Sequence, residues 1–123
     1  MPHELIWETE GVYWNYSGEV AGQEIIDAST KIYGDSRFDN VKYKLVNFLD
    51  IKNIEMREDQ VSLIAFQHRA AEISNSSINT AIVAKPDFVL ANQFAAFFKD
   101  STWGVRVFNN MNEANHWLNR KAG

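Results

Sequence analysis

The spacing of hydrophobic residues alternates between strand-like and helix-like along the chain. Residues 5–8 and 12–17 are short runs rich in aromatic and β-branched side chains, and Gly11 lies in the link between them, which predicts an amino-terminal β-hairpin. From residue 21 onward, apolar residues recur at helical spacing as far as Gly34, a residue type that commonly caps the carboxyl end of a helix. The chain is therefore predicted to begin with two strands and a helix.

The middle of the chain predicts a buried strand and then a helix with a wide apolar face. Residues 44–51 are almost continuously apolar, as in a central strand that is covered on both faces. Residues 59–74 follow as a helix with two neighbouring stripes, both interpreted as part of its apolar face. One stripe consists of Val61, Ile64, Ala65, His68 and Glu72, and the other of Leu63, Phe66, Ala70 and Ile73.

The last part of the chain continues the alternation of strands and helices. Residues 78–84 predict a strand, and Pro86 fits the first turn of a helix that begins near residues 85–87. Residues 103–108 alternate as a strand, and Asn110 then precedes Glu113 at the spacing typical of a helix start. The predicted order is β-β-α-β-α-β-α-β-α.

This order has a consequence for the faces of the sheet. Strands that alternate with helices pair in parallel through right-handed crossovers. If the strands are neighbours in the order of the sequence, every crossover helix lies on the same face. The opposite face is then expected to be open, with Trp7, Trp14 and Tyr16 contributing to it, and to be covered by a second subunit, a partner protein or an apolar ligand.

The composition is that of one folded domain, expected to span residues 1–123. Hydrophobic residues make up 46% and charged residues 23%, and the lack of Cys excludes disulfides and thiolate chemistry. A net charge of -4 with scattered basic residues argues against nucleic-acid binding. No signal peptide or membrane-spanning segment is recognisable, so a cytoplasmic protein of bacterial type is expected.

Catalytic and metal-binding motifs are missing from the sequence. There is no Gly-rich phosphate loop, nucleophile elbow or His-Glu-x-x-His pair. His3, His68 and His116 are far apart in the sequence, so neither a metal site nor a cofactor is predicted. His68 shares its stripe with Ile64 and is interpreted as a buried structural histidine. We therefore predict that the protein is not an enzyme.

The segment that joins the predicted central strand to the next helix is the first candidate site. Asp50 is placed at the carboxyl end of a parallel strand, where α/β proteins bind ligands, although an Asp there also commonly accepts N–H bonds from the following turn. Glu58 and Asp59 either form an acidic recognition surface or complement the helix dipole. The predicted partner-binding residues are Asp50, Asn53, Glu55, Arg57, Glu58, Asp59, Gln60 and Ser62.

The second candidate site is apolar. Residues 88–98 hold four phenylalanines, more than one helical stripe needs. Some of them are expected to face a ligand or another chain, so an alternative function is to bind or carry a small apolar, lipid-like molecule between the sheet and the third helix. The residues predicted for this ligand or interface are Phe94, Phe97, Phe98 and Trp14.

Several segments together resemble the SpoIIAA-like group of STAS domains. They are the strand LVNFLDI leading through a turn into an apolar helix, the strands TAIVA and WGVRVF, and the closing segment MNEANHWL. The resemblance covers nearly the whole chain. It implies an α/β fold, a right-handed β-α superhelix of about five mostly parallel strands in sequential order, with about four helices mainly on one face. It also implies a regulatory, non-enzymatic domain that binds a protein partner or forms a homodimer.

The same resemblance points to a lost regulatory switch. The best-understood members of this family are switches, in which a partner kinase phosphorylates a serine of an Asp-Ser-Ser-Gly motif at the start of the second helix. Residues 58–61 (EDQV) occupy the matching position and hold no hydroxyl, and Ser62 lies about half a turn further on. The prediction is thus an interaction domain without the serine phosphoswitch. An enzyme that uses Asp50 and Glu58 is the second alternative.

Overall fold

The computed structural model describes residues 3–96 and 103–120, in which five strands form a single sheet. The strands lie in the order of the sequence; β1 pairs antiparallel with β2, and the other pairs are parallel. The prediction of a mostly parallel, sequentially ordered sheet is confirmed. The elements are β1 His3–Trp7, β2 Gly11–Ala21, α1 Gly22–Tyr33, a 3-10 helix Ser36–Asn40, β3 Tyr43–Glu55, α2 Glu58–Ser74, β4 Asn79–Val83, α3 Val89–Ala96, β5 Gly104–Phe108 and α4 Met111–Leu118.

Strands β2 and β3 are longer than the sequence predicted. β4 pairs with β3 only from Tyr43 to Asn47, and the rest of β3 continues beside β2 as far as Glu55. Two register shifts place extra residues in β3, and the φ of 68° at Gly18 in β2, near the second shift, is a conformation that glycine adopts readily. Bulges break the alternation of polar and apolar residues. The prediction therefore ended β3 too early, at residue 51.

The third helix also begins later than predicted. α3 starts at Val89, and Pro86 lies in the turn before it. The N–H of Phe88 donates to the carbonyl of Lys85 (2.9 Å) and closes this turn. A proline fits the middle of a turn as readily as the first turn of a helix, so the residue type alone did not separate the two.

One face of the sheet packs against α1, α2 and α3. The main core cluster joins β2 and β3 to helix residues such as Ile25, Ile32 and Ile64. Trp7, Trp14 and Tyr16 also belong to this cluster, so the expectation that they contribute to an open face is wrong. Their alternating positions place them on the helix-covered side of β1 and β2.

The opposite face is not open as expected, because α4 folds back onto it. Ala114 and Leu118 of α4 are buried against Leu45, Ala81 and Val83 of the sheet. After α4, the Arg120 guanidinium makes two hydrogen bonds to the Glu8 carboxylate (2.9 and 2.7 Å), which also accepts from the Tyr43 hydroxyl. This network fastens the end of α4 to the link between β1 and β2.

The length and hydrophobicity of a helix decide whether it can cross a membrane. Of the helices in the described ranges, none is long and apolar enough to span a bilayer.

Candidate functional site

The start of α2 is held by its own polar side chains. The Gln60 side chain accepts a hydrogen bond from the backbone N–H of Arg57 (3.0 Å), so Gln60 caps the helix. The Arg57 guanidinium bonds to the Asp59 carboxylate (2.9 and 3.3 Å) and lowers the pKa of Asp59. Glu58 forms no ion pair or side-chain hydrogen bond among the described residues. Of these acidic residues, Glu58 is therefore the one whose charge is left for a partner.

The predicted partner-binding residues do not form one turn. Asp50, Asn53 and Glu55 lie within β3, and only Arg57 to Ser62 belong to the start of α2. The Asp50 carboxylate is exposed and accepts no hydrogen bond in the described part of the chain, which contradicts the reading of Asp50 as a residue that ties down the following turn. Glu58 and Ser62 line a shallow groove between α2 and α3, together with Val61, Gln93 and Ala96.

The outer face of α2 carries an exposed apolar stripe. Leu63, Phe66 and Ile73 are 46%, 70% and 90% exposed, and Ala70 between them is exposed as well. The sequence assigned both stripes to one wide apolar face, but the structure buries only the neighbouring stripe and leaves this one in solvent. The residues of α2 that are buried are Val61, Ile64, Ala65, His68 and Ala71. We call Leu63, Phe66, Ala70 and Ile73 the outer stripe of α2.

A cavity lies beneath α2, on the covered face of the sheet. Its volume is about 60 Å³, and its wall includes Trp14 and Phe94, two of the residues predicted for an apolar ligand. Phe97 and Phe98, the other two, lie outside the described residues. The prediction placed such a site between the sheet and the third helix, whereas α1 and α2 contribute to this wall as well.

A buried lysine lies beside this cavity. Lys44 is fully buried, and its Nζ is 2.7 Å from the Tyr33 hydroxyl and between 5.0 and 5.3 Å from the ring centroids of Trp14, Tyr33 and Trp103. Burial lowers the pKa of Lys44 well below its usual range. Sequence reasoning missed this residue because lysines are mostly exposed. Its alternation with Val46 and Phe48 was the available signal, since residues two apart in a strand share a face.

His68 lies in the cavity wall and is close enough to Lys44 to be affected by its charge. It is buried, as predicted, and its Nδ1 lies 2.8 Å from the carbonyl of Ile64. Since a carbonyl only accepts, Nδ1 carries the proton. Burial, followed by the charge of Lys44, lowers the pKa of His68 well below its usual range. His68 is thus a neutral imidazole in the cavity wall at neutral pH.

In residues 3–96 and 103–120, no cluster of three or more His, Cys, Asp or Glu could hold a metal ion. The structure instead gives α2 an exposed apolar stripe on its outer face and a cavity on its inner side.

Comparisons with known proteins bear on the fold. No family model and no curated protein matches the sequence significantly. The solved structure of the anti-sigma factor antagonist SpoIIAA in its unphosphorylated form matches with a TM-score of 0.63, over 98% of this chain and 99% of its own, at 18% identity. An uncharacterised protein from the DUF3478 family with a SpoIIAA-like fold, from Shewanella loihica PV-4, matches with a TM-score of 0.55 over 94% and 91%, at 8% identity. The chain therefore has the SpoIIAA-like fold predicted from its sequence.

Proposed function

We propose that this domain is a regulatory module that acts by binding a protein partner through the outer stripe of α2. The observation that carries the proposal is the exposure of Leu63, Phe66 and Ile73 on one helix face. Large apolar side chains grouped on a surface are typical of protein-interaction sites. A solved protein with this fold is an anti-sigma factor antagonist, and the proposal assigns a related, non-enzymatic role to this chain.

The chemistry of this surface suggests the kind of partner. The spacing of the outer stripe, three residues and then four and then three, is the spacing at which one helix packs along another. Glu58 lies five residues before Leu63, at the amino-terminal end of α2, and lines the groove towards α3. The proposed partner is an amphipathic helix with apolar residues over Leu63, Phe66 and Ile73 and a Lys or Arg near Glu58.

The proposed interaction does not use a serine switch. Residues 58–61 hold no hydroxyl at the start of α2. Ser62 is exposed but lies inside the helix, beside Glu58 in the groove towards α3. Binding by this surface would thus be constitutive, with Glu58 supplying a fixed negative charge.

Substitutions on the outer stripe test this function. A Leu63→Lys, Phe66→Lys variant is expected to lose the partner in co-isolation from a lysate of the source organism. Its free energy of unfolding is expected to stay within about 0.5 kcal/mol of the wild type, because both side chains are largely exposed. The comparison is made by mass spectrometry of the recovered proteins and by urea unfolding.

The matched control is Glu113→Lys, which changes an exposed charge on α4, on the opposite face of the sheet from α2. The Glu58→Lys, Asp59→Lys variant tests the acidic residues at the start of α2 in the same way and is expected to weaken recovery of the partner. Recovery of the same proteins by wild type and the Leu63→Lys, Phe66→Lys variant would exclude the stripe as the docking site. A wild-type dimer in light scattering that this variant converts to a monomer would assign the stripe to a second copy instead.

A further inference from the structure

The residues in the wall of the cavity beneath α2 differ in burial. Ser29, Thr80 and Trp14 are among the most deeply buried of them, at 0%, 1% and 2% exposed. Other wall residues are only partly buried and lie nearer to solvent. These are Phe48, Ile54, Met56, Phe88 and Phe94.

Three of the most deeply buried residues in the wall carry polar atoms without a partner. Trp14 Nε1, Ser29 Oγ and Thr80 Oγ1 are buried and form no hydrogen bond within the described part of the chain. Buried polar atoms in native proteins are nearly always paired, with protein or with an ordered molecule. Three such atoms in the wall of one cavity therefore point to an occupant that supplies the missing partners.

The identity of these atoms restricts the occupant. An indole N–H only donates, and a hydroxyl donates or accepts, so an occupant that pairs with all of them must carry an acceptor atom, such as a carbonyl or carboxylate oxygen. Lys44 lies beside Thr80 in the β3–β4 pairing, and its Nζ is 5.0 Å from the Trp14 ring centroid. No carboxylate forms an ion pair with Lys44 among the described residues. The surroundings of Trp14 and Thr80 thus favour a negative or dipolar oxygen and disfavour a cation.

The size of the cavity fits a head group with the first carbons of a chain. One water needs roughly 10–15 Å³ of such space. A cavity of about 60 Å³ holds several heavy atoms, and its remaining wall is apolar, with Val46, Ile64 and Ile82 among its members. A longer chain would extend towards the partly buried wall residues, Met56 and Phe94 among them.

We propose that this cavity binds a small amphipathic acyl compound, whose carboxyl or carbonyl oxygen enters first and bonds to Trp14, Ser29 and Thr80. Its hydrocarbon part points towards Met56 and Phe94. This site goes beyond the proposed function, since it lies on the inner side of α2 and does not need the outer stripe.

The test follows the indole N–H of Trp14 by NMR while hexanoate, hexanamide or hexylamine is added to the intact protein. Hexanoate and hexanamide both carry an acceptor oxygen and are expected to shift this signal in a saturable way. The probe that binds more tightly shows whether the site prefers a carboxylate or an amide carbonyl. Hexylamine is a cation without an acceptor and is expected to leave the signal unchanged. A Trp14→Phe variant assigns the signal.

Variants that remove the unpartnered hydroxyls provide the second arm. Ser29→Ala and Thr80→Val are each expected to weaken hexanoate binding about three- to tenfold, without loss of folding, because each hydroxyl is unpaired when the cavity is empty. Thr30→Ala is the matched control, since Thr30 neighbours Ser29 on α1 but does not line the cavity. An equal response to hexylamine, unchanged hexanoate affinity in both variants, or no response to any probe at millimolar concentration would overturn the proposal.

Discussion

Replacing Lys44 and Tyr33 together, as Lys44→Met and Tyr33→Phe, is expected to stabilise the protein by about 1–3 kcal/mol at neutral pH. Lys44 is fully buried and has no ion-pair partner among the described residues, so its charge is removed from water without compensation by a carboxylate. Its Nζ is bonded to the Tyr33 hydroxyl (2.7 Å), and for that reason both groups are changed at once. Removing either group alone would leave the other buried and unpaired.

The pH dependence of the stability distinguishes the removal of the buried Lys44 charge from an effect of better packing. The pKa of Lys44 is lowered in the folded protein, so between that pKa and about 10.4 the unfolded chain binds more protons than the folded one. Wild-type stability then rises with pH over this window, and the advantage of the double variant shrinks. Burial raises the pKa of Tyr33, so this phenol affects stability only above pH 10 or so.

Urea unfolding between about pH 7 and pH 10 measures this difference directly. Lys42→Met is the matched control, because the Lys42 side chain is 72% exposed and its removal is expected to change stability by less than about 0.5 kcal/mol. The loss of the Lys44 charge should also raise the pKa of His68, which that charge lowers. A double variant that is less stable than wild type at every pH would contradict this explanation.

Replacing Trp103 with alanine is expected to destabilise the protein by about 3–5 kcal/mol. The Trp103 ring is 2% exposed and packs near Tyr33, Phe38 and His68, with centroid distances of 6.4, 6.3 and 5.8 Å. Its Nε1 also donates to the carbonyl of Asn75 (2.6 Å), which ties β5 to the end of α2. The substitution opens a void beside Lys44 and lets water reach it.

Trp103→Phe separates the ring from the hydrogen bond. It keeps an aromatic group in the core and is expected to cost about 1–2 kcal/mol, mainly because the Asn75 carbonyl loses its donor. Thermal and urea unfolding of both variants provide the measurement, and the His68 ring signals in NMR report whether its pKa returns towards 6.5 in Trp103→Ala. A loss below about 1 kcal/mol in Trp103→Ala would show that the core closes over the missing ring.

The order of the elements was predictable because it depends on short-range periodicity. Apolar residues recur every second position in the strands and every third or fourth in the helices, and each change of period marks a new element. The end of β3 was not predictable, because its register shifts beside Asn15 and Gly18 interrupt the alternation. Asp50 was consequently placed at a strand end, whereas it lies inside β3.

The candidate site was less predictable than the fold. The outer stripe of α2 has the same helical period as the buried stripe beside it, so spacing alone could not show that Phe66 and Ile73 face solvent. The open sheet face was expected because crossover helices cover one side, but α4 follows the last strand and is free to pack on the other. The existence of the cavity depends on how side chains of β2, β4 and α1 pack together. These elements are far apart in the sequence, so no local pattern of residues predicts it.

The outer stripe of α2 is tested most directly by cross-linking in cells of the source organism. A photoreactive phenylalanine analogue is placed at Phe66, 70% exposed on α2, and in a second protein at Glu113, exposed on α4 on the opposite face of the sheet. Docking on the outer stripe predicts a discrete cross-linked partner from position 66 and none from position 113, and the adduct is lost when Leu63→Lys is added. Equal adducts from both positions, or an adduct at position 66 that survives Leu63→Lys, would contradict docking at this surface.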